Sequence, residues 1–148
     1  MKVFIADDDP LHRLNIRITL KQARDIKVIG EAGDGISAIE EIKTHHPDIV
    51  LMDVDMPGLS GISATRILRK AIPQLKIILN SISDDDDRVC RAFEAGADAY
   101  MLKSVEGTEL ISIISAFYAG HKIVSPCLLD IPSGSGFTKH VTQKISNQ

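Results

Sequence analysis

At 148 residues the chain has room for one domain with a full-sized core and a short appendage, and 44% hydrophobic with 25% charged residues is an ordinary globular composition. A formal net charge of -3 excludes the overall basic field of a nucleic-acid binder, and an acidic balance this small selects no partner by itself. The two cysteines, Cys90 and Cys127, stand far apart without metal-ligand spacing, which excludes a disulfide framework and points to a reducing compartment.

The first element is the short aliphatic run Val3 to Ala6, which passes straight into acids. It is too short for a signal peptide, and no stretch approaches the ~18 apolar residues of a membrane span, so a cytoplasmic location without membrane contact is expected. Asp9-Pro10 then supplies an N-cap and a first-turn proline for a helix ending near Arg24. On that helix Arg13, Arg17, Lys21 and Arg24 share one arc, either a solvated charged stripe or a docking face for a kinase or another acidic partner.

A second run, Ile26 to Gly30, leads to a helix that Asp34 can cap, with Ile36, Ile39 and Ile42 on one side. His45-His46 precede a proline and lack metal partners, which reads as surface. The third run is Ile49 to Met52, followed by a helix that Ser60 can cap, with Ile67, Leu68 and Ala71 inward. The fourth is Leu75 to Leu79. Ser83 can cap the helix after it, Asp84 to Asp87 suit its first turn, and Cys90 reads as small core filler. The fifth run, Ala99 to Leu102, precedes a helix presenting Leu110, Ile113, Ile114 and Phe117, and Gly96 and Gly120 stand where glycines end helices.

Each run is four or five residues and too continuous for a half-exposed strand, as in strands buried on both faces of a parallel sheet. Five β-then-α units predict an α/β fold, a flavodoxin-like doubly wound five-stranded parallel sheet of order 2-1-3-4-5 with five helices. That domain spans 1–121. From 122 to 148 the pattern stops, and Ser133-Gly134-Ser135-Gly136 predicts a partly flexible tail or linker without an output domain, although Ile123, Val124, Leu128, Leu129 and Ile131 could pack back.

In an open α/β sheet ligands bind beyond the carboxyl ends of the strands. Asp7-Asp8-Asp9, Asp53, Ser81 and Lys103 fall at that edge, from four different strands. Carboxylates crowded at 4 Å repel by ~4 kcal/mol per pair at an effective dielectric near 20, so they stay ionised together only around a cation. Oxygen ligands suit a hard divalent ion, Mg²⁺ above all. One carboxylate can then act as nucleophile toward a phosphoryl group, with the lysine and the hydroxyl as electrophilic partners. Taken alone, the three acids equally suit a solvated turn and helix cap, and Asp9 is better read as that cap than as a ligand.

Ile5-Ala6-Asp7-Asp8-Asp9-Pro10, the stretch from Asp48 to Gly58 around Asp53, and Ala95-Gly96-Ala97-Asp98 through Lys103 resemble the receiver domain of two-component response regulators. Ala6-Asp7-Asp8-x-Pro10, Leu102-Lys103 without a following proline, and Val124-Ser125-Pro126 are similar to the NarL/FixJ-type subgroup. The resemblance implies that Asp53 accepts a phosphoryl group from a histidine kinase or phosphotransfer protein. It implies that Asp7 and Asp8 hold Mg²⁺ with Asp53 and the backbone carbonyl of Asp55, that Ser81 is the switch hydroxyl, and that Lys103 pairs with the phosphoryl group. Met56-Pro57-Gly58 would shape the loop beside the site.

Tyr100 is either the aromatic that changes rotamer with Ser81, reshaping the face made by the fourth helix, fifth strand and fifth helix, or a packed strand tyrosine. Asp55 departs from the pattern by placing a second acid beside the site, where the resemblance implies an influence on phosphoryl lifetime, as it does for Ser83. The implied function is a signalling switch rather than an enzyme, with self-phosphorylation from donors and autodephosphorylation its only reactions. Its partners would be a downstream protein or a phosphorylation-promoted homodimer, without direct nucleic-acid binding. Two alternatives remain. The chain could be the N-terminal part of a NarL/FixJ-type DNA-binding regulator. Asp53-Val54-Asp55 also resembles the DxD motif of haloacid-dehalogenase-type phosphatases, although there the DxD lies on the first strand and the acid pair comes late.

Overall fold

The computed structural model describes residues 1–83 and 85–121. Strands and helices alternate: β1 (Lys2–Ala6), α1 (Pro10–Lys21), β2 (Lys27–Ala32), α2 (Gly35–His45), β3 (Ile49–Asp53), α3 (Gly61–Ala71), β4 (Lys76–Ser81), α4 (Asp86–Glu94), β5 (Ala99–Leu102) and α5 (Gly107–Tyr118). Every neighbouring pair of strands is parallel, in the order β2-β1-β3-β4-β5. This is the flavodoxin-like, doubly wound sheet with five helices that the alternation predicted.

Strand side chains alternate between faces, so each buried strand feeds two cores. Phe4, Val50, Met52, Ile77, Leu79 and Tyr100 pack on the side of α2, α3 and α4. Val3, Ile5, Ile49, Leu51, Ile78 and Met101 pack on the side of α1 and α5, where all four apolar residues expected of α5 are buried. The edge strand β2 differs from expectation: most of it is only half-buried, because it has one hydrogen-bonded neighbour and one open side.

The caps follow the chemistry read from the sequence. The Asp9 carboxylate accepts from Leu11 N at 3.0 Å, Asp34 from Ser37 N at 2.8 Å, and Ser60 Oγ from Ser63 N at 3.2 Å. α4 corrects one assignment. Its N-cap is Asp85, whose side chain accepts from Asp87 N, while Ser83 Oγ accepts from Asp85 N one step earlier; Asp84 lies outside the described residues. α1 ends at Lys21, short of Arg24, and Ala23 and Ile26 are already in backbone turns there.

The inward arcs of α2 and α3 are Gly35, Ala38, Ile39, Ile42 and Gly61, Ala64, Thr65, Leu68, the same i, i+3, i+4, i+7 set. Ile36 and Ile67 stand about 110° from the centres of those arcs and are exposed, and Ala71 at the end of α3 is exposed as well, contrary to expectation. His45 and His46 are on the surface, and Cys90 is half-buried. The tail over 122–148, with Val124-Ser125-Pro126 and the glycine-serine run, lies outside the described residues. No helix among the described residues is long and apolar enough to cross a membrane.

One glycine holds the functional edge close. Gly61 N donates to Val54 O at 2.8 Å, and a Cβ at Gly61 would overlap the carbonyl oxygen of Asp53. Gly58 takes a left-handed φ of 79° in open space. Gly61→Ala is therefore expected to lower unfolding stability by about 3 kcal/mol, the upper part of the range for forced overpacking. Gly58→Ala should lose only about 1 kcal/mol, for the left-handed backbone alone. Equilibrium urea unfolding of the two variants measures the difference, and equal midpoints would contradict the close-approach argument.

Candidate functional site

Strand alternation decides which polar groups meet at the carboxyl edge. Continuing from Ile5, Leu51 and Met101, residues 7, 53 and 103 emerge on the α1–α5 side of the sheet. Continuing from Leu79, Ser81 emerges on the opposite side with Tyr100. The four polar groups anticipated from the motifs thus divide into a charged cluster and a hydroxyl held apart from it.

The charged cluster is compact. Lys103 Nζ lies 2.8 Å from Asp53 Oδ2 and 3.3 Å from Asp7 Oδ2. Asp53 Oδ1 also accepts from Asp55 N at 3.0 Å, and Asp7 Oδ1 from Asp9 N at 2.8 Å. Asp7 and Asp53 are buried, 1% and 2% exposed, whereas Asp8 stands exposed at the mouth. Burial pushes the Asp53 carboxyl up to about 6, helped by the Asp7 charge, against opposing pulls from Lys103 and the Asp55 amide. Burial acts upward on Asp7 too, but the His12 hydrogen bond, the Asp9 amide and the Lys103 charge outweigh it and hold Asp7 below the usual carboxylate range. Burial draws the Lys103 ammonium down, and its bonds and charges from Asp53 and Asp7 more than reverse that.

Asp7, Asp8 and Asp53 each offer a carboxylate oxygen, and these atoms lie within 4.8 Å of one another. An all-oxygen set of three acids fits a hard divalent cation such as Mg²⁺ and disfavours the softer metals that seek thiolate or imidazole. The arrangement puts a buried carboxylate beside a fixed ammonium, with two further acids to hold a cation. That is what transfer of a phosphoryl group onto a carboxylate requires.

The second group centres on Ser81, fully buried on the α2–α3–α4 side. Its Oγ accepts from Ser83 N at 3.1 Å and from Arg88 Nη1 at 3.2 Å. Arg88 is itself held by Asp55 Oδ2 at 2.7 Å, and that bond, against the pull of burial, raises the guanidinium pKa further. Tyr100 is fully buried and its hydroxyl donates to Ser83 O at 2.6 Å. It is an inward-packed ring with its polar end on the loop after Ser81.

Four contributors escaped the motif reading. His12 Nδ1 meets Asp7 Oδ2 at 2.5 Å, placed there by the first turn of α1. Arg88 comes from α4, and no spacing rule linked it to Asp55, 33 residues earlier. Asn80 is 3% exposed beside Asp53 in the sheet register, and its Oδ1 has no hydrogen-bond partner among the described residues; it belongs to none of the quoted motifs. Arg13 was placed on a possible docking stripe. Its guanidinium instead donates to Asp7 O at 2.5 Å and pairs with Glu31 at 3.2 Å, and Arg17 also binds Glu31. Two of the four stripe residues are therefore committed within the chain.

Comparison with known proteins agrees with this geometry. The family described as "Response regulator receiver domain" matches residues 3–115. The transcriptional regulatory protein YxjL of Bacillus subtilis (strain 168) is 40% identical over 123 residues, 83% of this chain and 56% of that protein. The nitrate/nitrite response regulator protein NarL of Escherichia coli (strain K12) is 32% identical over 133 residues, 90% of this chain and 62% of that protein. The crystal structure of a LuxR-family two-component response regulator from Aurantimonas sp. SI85-9A1 superposes with a TM-score of 0.83 at 32% identity, covering 88% of this chain and 93% of that one. The chain spans about three-fifths of the length of the curated relatives it matches.

The raised carboxyl at Asp53 has a thermodynamic consequence. Its ordinary value is 3.8, against about 6 in the fold. As pH rises, the unfolded chain releases this proton first, so native stability falls across the interval between those values and the full loss persists above it. In chelator at about pH 7.5, Asp53→Asn should therefore be more stable than the parent by about 2 kcal/mol, a figure reduced for the partner Lys103 loses. The gain should fade toward about pH 4. Urea unfolding at the two pH values tests this, and equal stability at the higher one would refute it.

Proposed function

Given that this chain belongs to the response regulator receiver family, we propose that it is a Mg²⁺-dependent phospho-acceptor switch of a two-component system, with Asp53 as the acceptor. The observation that carries the reading is Lys103 Nζ fixed 2.8 Å from the buried carboxylate of Asp53, beside the acid pair. One Asp53 carboxylate oxygen attacks the donor's phosphorus. The new O–P bond forms as the bond to the donor's leaving atom breaks and that atom takes the electron pair. Lys103 neutralises charge building on the phosphoryl oxygens, a stabilisation that matters most where water is excluded.

Asp7 and Asp8, with Asp53 and the Asp55 carbonyl, would hold Mg²⁺, which when bound supplies the positive charge that lets the acids stay ionised together. The same burial that raises the Asp53 carboxyl keeps the aspartyl phosphate away from bulk water. The donor is a histidine kinase or phosphotransfer protein in the cytoplasm, the compartment that the cysteine usage favours.

The readout begins at Ser81. A phosphoryl group on Asp53 offers the Ser81 hydroxyl an acceptor for its hydrogen, and taking it up shifts the loop and helix whose Ser83 N and Arg88 Nη1 donate to the same oxygen. Because Tyr100 OH is bound to Ser83 O, the shift reaches β5 and biases the face made by α4, β5 and α5 between two arrangements. That face would bind a downstream partner or a second copy of the chain. Its similarity to a transcriptional regulatory protein and to a nitrate/nitrite response regulator makes control of transcription the setting we propose for the switch.

Intact-mass measurement with Mg²⁺ and a small acyl phosphate should show one phosphoryl group gained by the parent and none by Asp53→Ala. Lys103→Met should slow the gain by about 10²-fold, the usual loss for one electrostatic donor. Excess chelator should abolish it. Gain by Asp53→Ala at the parent rate would move the acceptor elsewhere.

A further inference from the structure

A serine hydroxyl has one hydrogen to donate and two lone pairs to accept with. At Ser81 both acceptor positions are taken, one by Ser83 N at 3.1 Å and the other by Arg88 Nη1 at 3.2 Å. The side chain is wholly buried, so water does not compete. Both donors lie on the loop and helix that follow β4. The one hydrogen-bonding capacity left to the hydroxyl is to donate its hydrogen, at the end of a strand whose neighbour carries Asp53.

Arg88 does not hold this position alone. Its Nη1 is bound by Asp55 Oδ2 at 2.7 Å, and Asp55 is fixed in turn by donating its amide to Asp53 Oδ1 at 3.0 Å. A bracket thus runs from the loop after Asp53, across α4, to the end of β4. Arg88 does this through one terminal nitrogen, whose two hydrogens serve the Asp55 carboxylate and the Ser81 hydroxyl.

We infer that Arg88 is a positioning residue for phosphoryl transfer: held by Asp55, it fills a lone pair of Ser81 and so presents the Ser81 hydroxyl as a hydrogen-bond donor to the phosphoryl group arriving at Asp53. The inference rests on the phospho-acceptor reading given above. The competing account is an ion pair at a half-exposed surface, and the two differ in what they move. An ion pair with a 56% exposed partner contributes little to stability and nothing to rate. A positioning residue changes the rate, and only while Ser81 is present.

The test is a double-mutant cycle on the full chain with Mg²⁺ and a small acyl phosphate, read as the initial rate of phosphoryl gain, with the melting temperature of each variant beside it. Arg88→Gln should slow the gain by about tenfold, the share of one oriented hydrogen bond to a charged group. Its melting temperature should stay near that of the parent. In the Ser81→Ala background the same substitution should change the rate by less than about twofold, because the group it acts through is gone. Arg88→Lys should recover part of the loss, and Asp55→Asn should slow the gain in the parent background but not beside Ser81→Ala. An Arg88→Gln rate equal to the parent's, or a full independent loss in the Ser81→Ala background, overturns the inference while leaving Asp53 as acceptor. Absence of any gain by the parent, where a known receiver is labelled, overturns both. If Arg88→Gln does not fold, the Asp55→Asn and Ser81→Ala pair decides by the same criterion.

Discussion

Two buried carboxylates, a third at the mouth and one ammonium, all at the end of a parallel sheet, form the constraint on which the rest of this structure depends. Asp7 and Asp53 repel, both lose water, and His12, Lys103 and two backbone amides offset that. A core chosen for stability alone would not contain this arrangement. The sheet tolerates it because each charged side chain extends from a strand whose preceding residues are locked on both faces by aliphatic packing. The destabilised edge is thus carried by a stable interior, the division of labour expected when a site needs groups poised away from their preferred states.

The period-two alternation of the strands does more than bury apolar residues. It sends residues 7, 53 and 103 to the α1–α5 side and residue 81 to the α2–α3–α4 side, where Tyr100 also packs. The charged cluster and the buried hydroxyl therefore sit on opposite faces of one sheet, joined at its edge. A one-residue slip in β3 or β4 would exchange them. The parallel register across β1, β3, β4 and β5 holds that separation in place.

Much of this was legible before any coordinates. Five continuous aliphatic runs, Asp9-Pro10, Asp34, Ser60 and the helix-ending glycines define the fold because each acts over a few residues through known local physics. Asp7, Asp53 and Lys103 were legible because strand ends in a parallel sheet share one edge. Legibility failed where the deciding contact was neither local nor implied by strand order. Ile36 and Ile67 are apolar and suitably spaced, yet they sit off the arc that the sheet covers. Ser83 has the chemistry of a cap, but the β4–α4 loop shifts the helix start to Asp86 and gives the cap to Asp85. Arg13 and Arg17 look like a free basic stripe until β2 brings Glu31 beneath them.

Arg88 and His12 show why a motif stops short of a mechanism. A motif names the groups that touch the reacting atoms, and those groups have few acceptable chemistries. The residues that set their orientation have many, since any donor of the right length satisfies a lone pair. Arg88 could be recognised only after Ser81, Ser83 and Asp55 had been placed and the hydrogen bonds at one oxygen counted. His12 likewise gains a role only when its ring is seen against Asp7. On the phospho-acceptor reading proposed above, the rate of phosphoryl uptake is set in part by this outer layer of contacts. There a substitution alters the direction of a hydroxyl or carboxylate without altering the group itself.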